Sequence, residues 1–388
     1  MRHAYSVIGA IVCTALLAGC SANKGTVPSL PTSHAPPHSG SQREVTPSLS
    51  REFVFVANAG SDDVSVFRVG SGGSLTEVQG SPFAAGSQPT DVGIEPSGKF
   101  AYVSNSNYPS PTGTISAYKV NRYTGGLTTV PGSPYTEGKS PYAVAVDPVG
   151  GKFVYVVNIF TNNISGYKVD KLLGGLTPLK RSPFYAHVAP ESIAIDPLGR
   201  FLYVPNTGSN DINAYTIDAQ SGNLRGIGHA LAGMTPNFAA VNPAGTFLYV
   251  TNPGSDTISG YAIDQSTGHL NPISGSPFGV SGGPLAIAID PTGTFAYVSV
   301  DQVGINAYAI DPSTGALTLV AGSPFSDGSS PVRVAVDPKD RYVYASNGAT
   351  NTISAFALDP STGALTVVAG SPFPTGASPS GVAIWSPR

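Results

Sequence analysis

The sequence predicts an all-β fold, a seven-bladed β-propeller with four-stranded blades spanning residues 51–388. Three observations carry that prediction: a recurring "GSPF" phrase, a second marker of the "YVTN" type on the same beat, and complementary strand types at the two ends of the body. Together they describe one four-stranded unit repeated around a closed ring.

The residues before the body read differently. Arg2 and His3 make a short positive start, an apolar run follows from Val7 to Leu17, and "LAGC" ends it at Cys20. That is the pattern of a secretory signal over residues 1–20. It resembles a bacterial lipoprotein signal, in which the cysteine after a small-residue cleavage site is lipidated, and only Cys20 fits that role. A membrane-spanning helix needs about 20 apolar residues, more than this run supplies. Cys13 lies inside the signal, so the mature chain is expected to hold no disulfide. Residues 21–50 are rich in Pro, Ser and Thr without apolar periodicity, as expected of a tether.

From Arg51 the alternation of strands begins. "GSPF" or a close copy stands at Gly80, Gly132, Gly275, Gly322 and Gly370, "RSPF" at Arg181, and a degenerate copy is read from Ala230. The second marker stands at Phe55, Tyr102, Tyr155, Tyr203, Tyr249, Tyr297 and Tyr344, giving steps of 47, 53, 48, 46, 48 and 47 residues. Propeller blades repeat every ~40 to 50 residues. Blade 7 shows the four strands: "VRVAVDP", "RYVYAS", "TISAFAL" and "LTVVAG". Its turns "DPKD", "NGATN" and "DPSTG" have the Asp, Asn, Pro and Gly of tight antiparallel connections. The body starts on a second-type strand, "EFVFVAN", and ends on a first-type strand, "SGVAIWSP", so the last strand is expected to complete blade 1 and leave no open edge.

Composition agrees. Charged residues are 11% of the chain, Gly and Pro number 46 and 35, and the net charge of -3 lacks the basic excess of a nucleic-acid binder.

The phrases "YVTN" and "YVSN", "AVDPxGxFxYV" and "DPSTGxLTxVxGSPF" resemble the bacterial seven-bladed lactonase family, propeller relatives of 6-phosphogluconolactonase, and the YVTN-repeat proteins. The resemblance spans nearly all of residues 51–388 and implies a propeller and a lactone-hydrolysing activity. The matching phrases are the ones that build blades, so chemistry is sought where the blades differ.

Aligned on their leading prolines, the first strands share a small column, Gly93, Ala145, Ala194, Ala240, Ala288, Ala335 and Ala383, which places them innermost, where seven sheets converge. Two columns after the proline vary. One reads Thr90, Tyr142, Glu191, Asn237, Leu285, Val332, Ser380; the other reads Asp91, Ala143, Ser192, Phe238, Ala286, Arg333, Gly381. These positions are expected to ring one mouth of the central channel, a ligand site by default.

Arg333 has two readings: an ion pair with Asp91 that fixes the entrance, or recognition of a carbonyl or anionic oxygen by its planar donors. Glu191 is read as a channel carboxylate or as the general base that activates water on a lactone. His187, in the loop before it, is read as a surface histidine or as a partner in that task. Tyr142, Asn237 and Asp91 are candidates for substrate contacts. No phosphate loop, nucleophile elbow or nicotinamide fingerprint appears, and His229 and His269 have no metal-ligand spacing, so no metal or cofactor is expected. Asp264, Asp311 and Asp359 recur because their turn recurs, rather than as calcium ligands.

Two functions remain open at this level. One is a lactone hydrolase, for which export argues against a phosphorylated cytoplasmic substrate. The other is a non-catalytic propeller binding a glycan, a cell-wall component or another envelope protein. Either is expected as a monomer in the cell envelope, attached to the membrane through lipid alone.

Overall fold

The computed structural model describes residues 51–387 except 109, 111 and 137–139; the expected signal, Cys20 and the tether of residues 21–50 lie outside the described residues. Seven antiparallel sheets are present, one per expected blade. Blade 1 combines Phe53–Asn58, Asp63–Val69 and Leu75–Glu77 with the C-terminal strand Pro379–Trp385, as its strand types predict. Helix is confined among the described residues to one 3-10 turn, Ser71–Gly73.

The GSPF phrase adds something the four-strand reading lacks. Its serine hydroxyl accepts the backbone N–H of the third strand, as Ser81 does from Val66 and Ser182 from Gly166, each at 2.9 Å. The aromatic residue that follows then pairs with the start of that strand, making a two-residue edge in blades 1, 3, 5 and 7 (Phe83–Ala84, Phe184–Tyr185, Phe278–Gly279, Phe373–Pro374). Blade 4 departs. Its fourth strand runs unbroken over Leu224–Leu231, with a bulge where Ala214 pairs Gly228 and Tyr215 pairs Gly226. Ala232 donates to the Asn210 carbonyl as Ala85 does to Asp62, so the degenerate copy corresponds to residues 227–232 and not to a stretch beginning at Ala230.

The blades are joined by a recurring tyrosine. Tyr102, Tyr155, Tyr203, Tyr249, Tyr297 and Tyr344, all fully buried, donate their hydroxyls to the carbonyls of Gly174, Gly222, Gly268, Gly315, Gly363 and Gly73. Each acceptor lies in the next blade, in the turn before its fourth strand. That turn must be glycine: at Gly222 φ is +73° and a Cβ would sit 2.5 Å from Phe153. The recurrent aspartates close the same turns, Asp264 accepting the Ser266 and Thr267 amides at 2.9 Å, which bears out their structural reading.

First strands of successive blades lie beside one another around the axis, so they are the innermost ones. Val92, Val144, Ile287 and Val334 are buried between blades, whereas Gly93, Ala145, Ala288, Ala335 and Ala383 are half-buried and line the accessible axial space. Hydroxyls stitch this layer: Ser104 donates to the Tyr142 carbonyl (3.0 Å), Thr251 to that of Leu285 (3.1 Å) and Ser299 to that of Val332 (3.1 Å).

Candidate functional site

Three blades depart from this regularity, and they carry three of the candidate residues, Glu191, Asn237 and Arg333. The inner ladder starts at the leading proline in blades 1, 2, 3 and 6, but only at Ala194 in blade 4, Ala239 in blade 5 and Arg333 in blade 7. Glu191, Asn237 and Phe238 therefore stand outside the regular ladder, tied by isolated hydrogen bonds such as Asn237 N–H to the Thr251 carbonyl at 2.8 Å and Phe238 N–H to the Thr251 hydroxyl at 3.1 Å.

Arg333 is 6% exposed and its guanidinium lies over the Phe238 ring, 4.6 Å from the centroid. No carboxylate stands within ion-pair distance of it among the described residues, and its buried Nε has no hydrogen-bond partner. The direct ion pair with Asp91 is not formed. Asp91 instead accepts the Val144 N–H of the next blade at 3.0 Å, as Ser192 in the same column accepts that of Ala239 at 3.1 Å. Gly381 allows this approach, because a Cβ there would lie 2.5 Å from the Asp91 Cα.

The charges nevertheless act on one another. Burial pushes the Asp91 carboxyl up to about 6, against the opposing pull of Arg333 and the backbone amides. Burial raises Glu191 as well, with Arg333 and the Thr207 hydroxyl drawing it back. A buried guanidinium thus sits on an aromatic ring, in the field of two carboxyls whose charged forms are disfavoured. Asn237 adds a buried Oδ1 that has no hydrogen-bond partner.

Tyr142 is half-buried. Its carbonyl accepts the Thr90 hydroxyl at 2.6 Å and its side chain packs against the core of blades 3 and 4, so its ring is partly committed to structure. His187 is placed elsewhere. Its Nδ1 meets Asp211 Oδ2 at 2.5 Å, and it lines a cavity of about 490 Å³ with Tyr185, Asn213 and His229, none of them axial residues. Asp91 and Glu191 therefore both lie within the electrostatic reach of Arg333 without contacting it, Asn237 adjoins Phe238 in the chain, and His187 stands apart in another cavity. Sequence reasoning gave Phe238 no role, although it is the one aromatic in a column of small and charged residues.

Fold and site together define a closed seven-bladed propeller whose regular strands give way at one end of the axis to a charged, aromatic-backed cluster. The family model for the seven-bladed β-propeller lactonases matches residues 79–191, 179–285 and 274–378, and the chain belongs to that family. No curated protein matches. Among solved structures, the periplasmic gluconolactonase of Pseudomonas aeruginosa is similar, with 19% identity, a TM-score of 0.74, and coverage of 87% of this chain and 100% of that one. A candidate 6-phosphogluconolactonase of Bacteroides uniformis superposes with a TM-score of 0.75 at 19% identity, covering 86% and 99%. Hydrazine synthase of Kuenenia stuttgartiensis also superposes, with a TM-score of 0.61 at 19% identity, covering 82% and 99%. Likeness at these identities is likeness of fold, and the last shows that the fold serves other chemistry.

Proposed function

We propose that this chain hydrolyses an unphosphorylated sugar lactone or related cyclic ester at the axial cluster. The observation that supports it most is the buried Arg333, whose Nε has no hydrogen-bond partner and whose guanidinium is seated on Phe238 within electrostatic reach of Glu191, in a member of a lactonase family. Glu191, ionised, takes a proton from water as its oxygen adds to the lactone carbonyl. Arg333 stabilises the oxyanion, the ring C–O bond breaks, and the proton passes to the departing oxygen, leaving a hydroxy acid. Asn237 offers an acceptor to a sugar hydroxyl, and Asp91 holds the inner strands in register beneath the site. We propose further that Cys20 carries a lipid and residues 21–50 hold the propeller at an envelope membrane; a lipid-sized mass on the N-terminal peptide of the native protein tests this.

Acid release at constant pH, from a panel of phosphorylated and unphosphorylated lactones, tests the activity. Glu191→Gln is expected to lower kcat by ~10²- to 10⁴-fold, the range of general-base contributions. Arg333→Lys keeps a charge but loses the planar fork and is expected to be severely impaired. Turnover indifferent to both changes, with folding intact, would remove the assignment. A second reading, glycan binding without catalysis, is favoured by the exposed pair Tyr108 and Phe160, whose rings lie 5.7 Å apart on blades 2 and 3. Glycan affinity lost in Tyr108→Ala, with no turnover in the parent, would establish it.

A further inference from the structure

Blade 4 carries a second group of chemistry-bearing side chains, remote from the axial cluster. His187 lies in the loop from blade 3 into blade 4, its backbone N–H donating to Asn213 Oδ1 at 2.8 Å. Asn213 is also the cross-strand neighbour of His229. At that point the fourth strand bulges, with Gly228 at φ +124°, and a bulge re-aims the side chains next to it. The two imidazoles come to 5.1 Å between centroids, inclined by 60°.

His187 is oriented as well as placed. Its Nδ1 faces Asp211 Oδ2 at 2.5 Å, and Asp211 is itself buried and fixed through Oδ1 by Asn206 Nδ2 (2.8 Å) and the Ser209 hydroxyl (2.9 Å). A carboxylate on Nδ1 selects the tautomer that leaves Nε2 as the ligating atom. His187 is a quarter exposed and His229 is exposed, so an ion can enter from solution.

We propose that His187 and His229 bind a divalent first-row transition-metal ion such as Zn²⁺, with Asp211 orienting His187. With metal–nitrogen bonds of about 2.1 Å, two imidazoles on one tetrahedral ion place their centroids about 5 Å apart, as here. Imidazole donors suit Zn²⁺, Ni²⁺ and Cu²⁺. Among the described residues no three His, Cys, Asp or Glu side chains converge on one point, so this site supplies two protein ligands and leaves the other positions to solvent or a small ligand. Arg181, lining the same cavity, suits an anionic co-ligand.

The test is calorimetric titration of the full chain with Zn²⁺ in a non-coordinating buffer after chelator treatment. One site is expected in the wild type and in His269→Ala. It is expected to be lost in His187→Ala and in His229→Gln, the latter an exposed position where folding is not at stake. Asp211→Asn is expected to weaken it ~10- to 100-fold, as outer-shell partners do. Absence of Zn²⁺ binding in the wild type, or binding that survives both histidine substitutions, would overturn the proposal. Lactone turnover is not the readout, so this test stands or falls apart from the axial assignment.

Discussion

At Asp91 a carboxyl is held where its charge is costly, and the sign of that cost makes a stability prediction. Its folded-state value of about 6 lies above the ordinary 3.8 because burial outweighs Arg333 and the amide bonds. A carboxyl raised in the folded state contributes stability that is fully present below 3.8 and is lost as pH rises through about 6. Asp91→Asn keeps an oxygen for the Val144 amide and removes the charge. Its melting temperature, relative to wild type, is therefore expected to be higher at pH 8 than at pH 4. A difference that does not change with pH, or that grows in the opposite sense, would show that Arg333 dominates. For Glu191, also raised by burial, the acid limb of lactone turnover is expected above the ordinary glutamate range.

Strands and turns were legible because they repeat; what joins blade to blade was not. The tyrosine of each "YVTN" phrase can be read as a strand residue, but its hydroxyl acceptor lies 72 positions away at Tyr102 and Gly174 and 67 away at Tyr155 and Gly222, and no local pattern links them. Blade 4 misleads for the same reason: with Gly228 and His229 in place of Ser and Pro, only the pairing of strands reveals its register. In the site, the variable columns were legible from the alignment of prolines. The distances within them were not, because Asp91 and Arg333 are held apart by the closing strand. Single junctions can be tested. Tyr155→Phe leaves the Gly222 carbonyl without its 2.7 Å donor in a buried place, an expected loss of about 1–3 kcal/mol in denaturant unfolding. Gly222→Ala, strained at φ +73° and crowded against Phe153, is expected to cost more. Equal stability of Tyr155→Phe and wild type would mean that the tyrosines serve only to fill volume.

For the molecule as a whole, the closing strand connects stability to the site. Pro379–Trp385 pairs with Phe53–Asn58, and Trp385 stacks on Phe53 with 6.4 Å between centroids and 7° between planes. The blade 7–blade 1 junction has further ties: Tyr344 to the Gly73 carbonyl, and Glu52 to Arg341 and to Lys339 at 3.6 Å. The same strand lies between Arg333 of blade 7 and Asp91 of blade 2, with Gly381 directly beneath Asp91. Two substitutions in this strand should therefore separate its roles. Trp385→Ala removes a buried aromatic that seals the ring far from the cluster; about 3–5 kcal/mol of stability is expected to be lost, with lactone KM and kcat unchanged below the new melting point. Gly381→Ala pushes a methyl group into Asp91 and is expected to alter turnover as well as stability, since Asp91 moves relative to Arg333. Deleting residues 379–388 leaves the inner edge of Phe53–Asn58 unpaired, and light scattering is expected to report association through that edge. If the deleted chain stays monomeric and melts as wild type does, ring closure by the last strand is not what holds the propeller together, and the assembly of the cluster would then rest on the contacts of blades 2, 4, 5 and 7 alone.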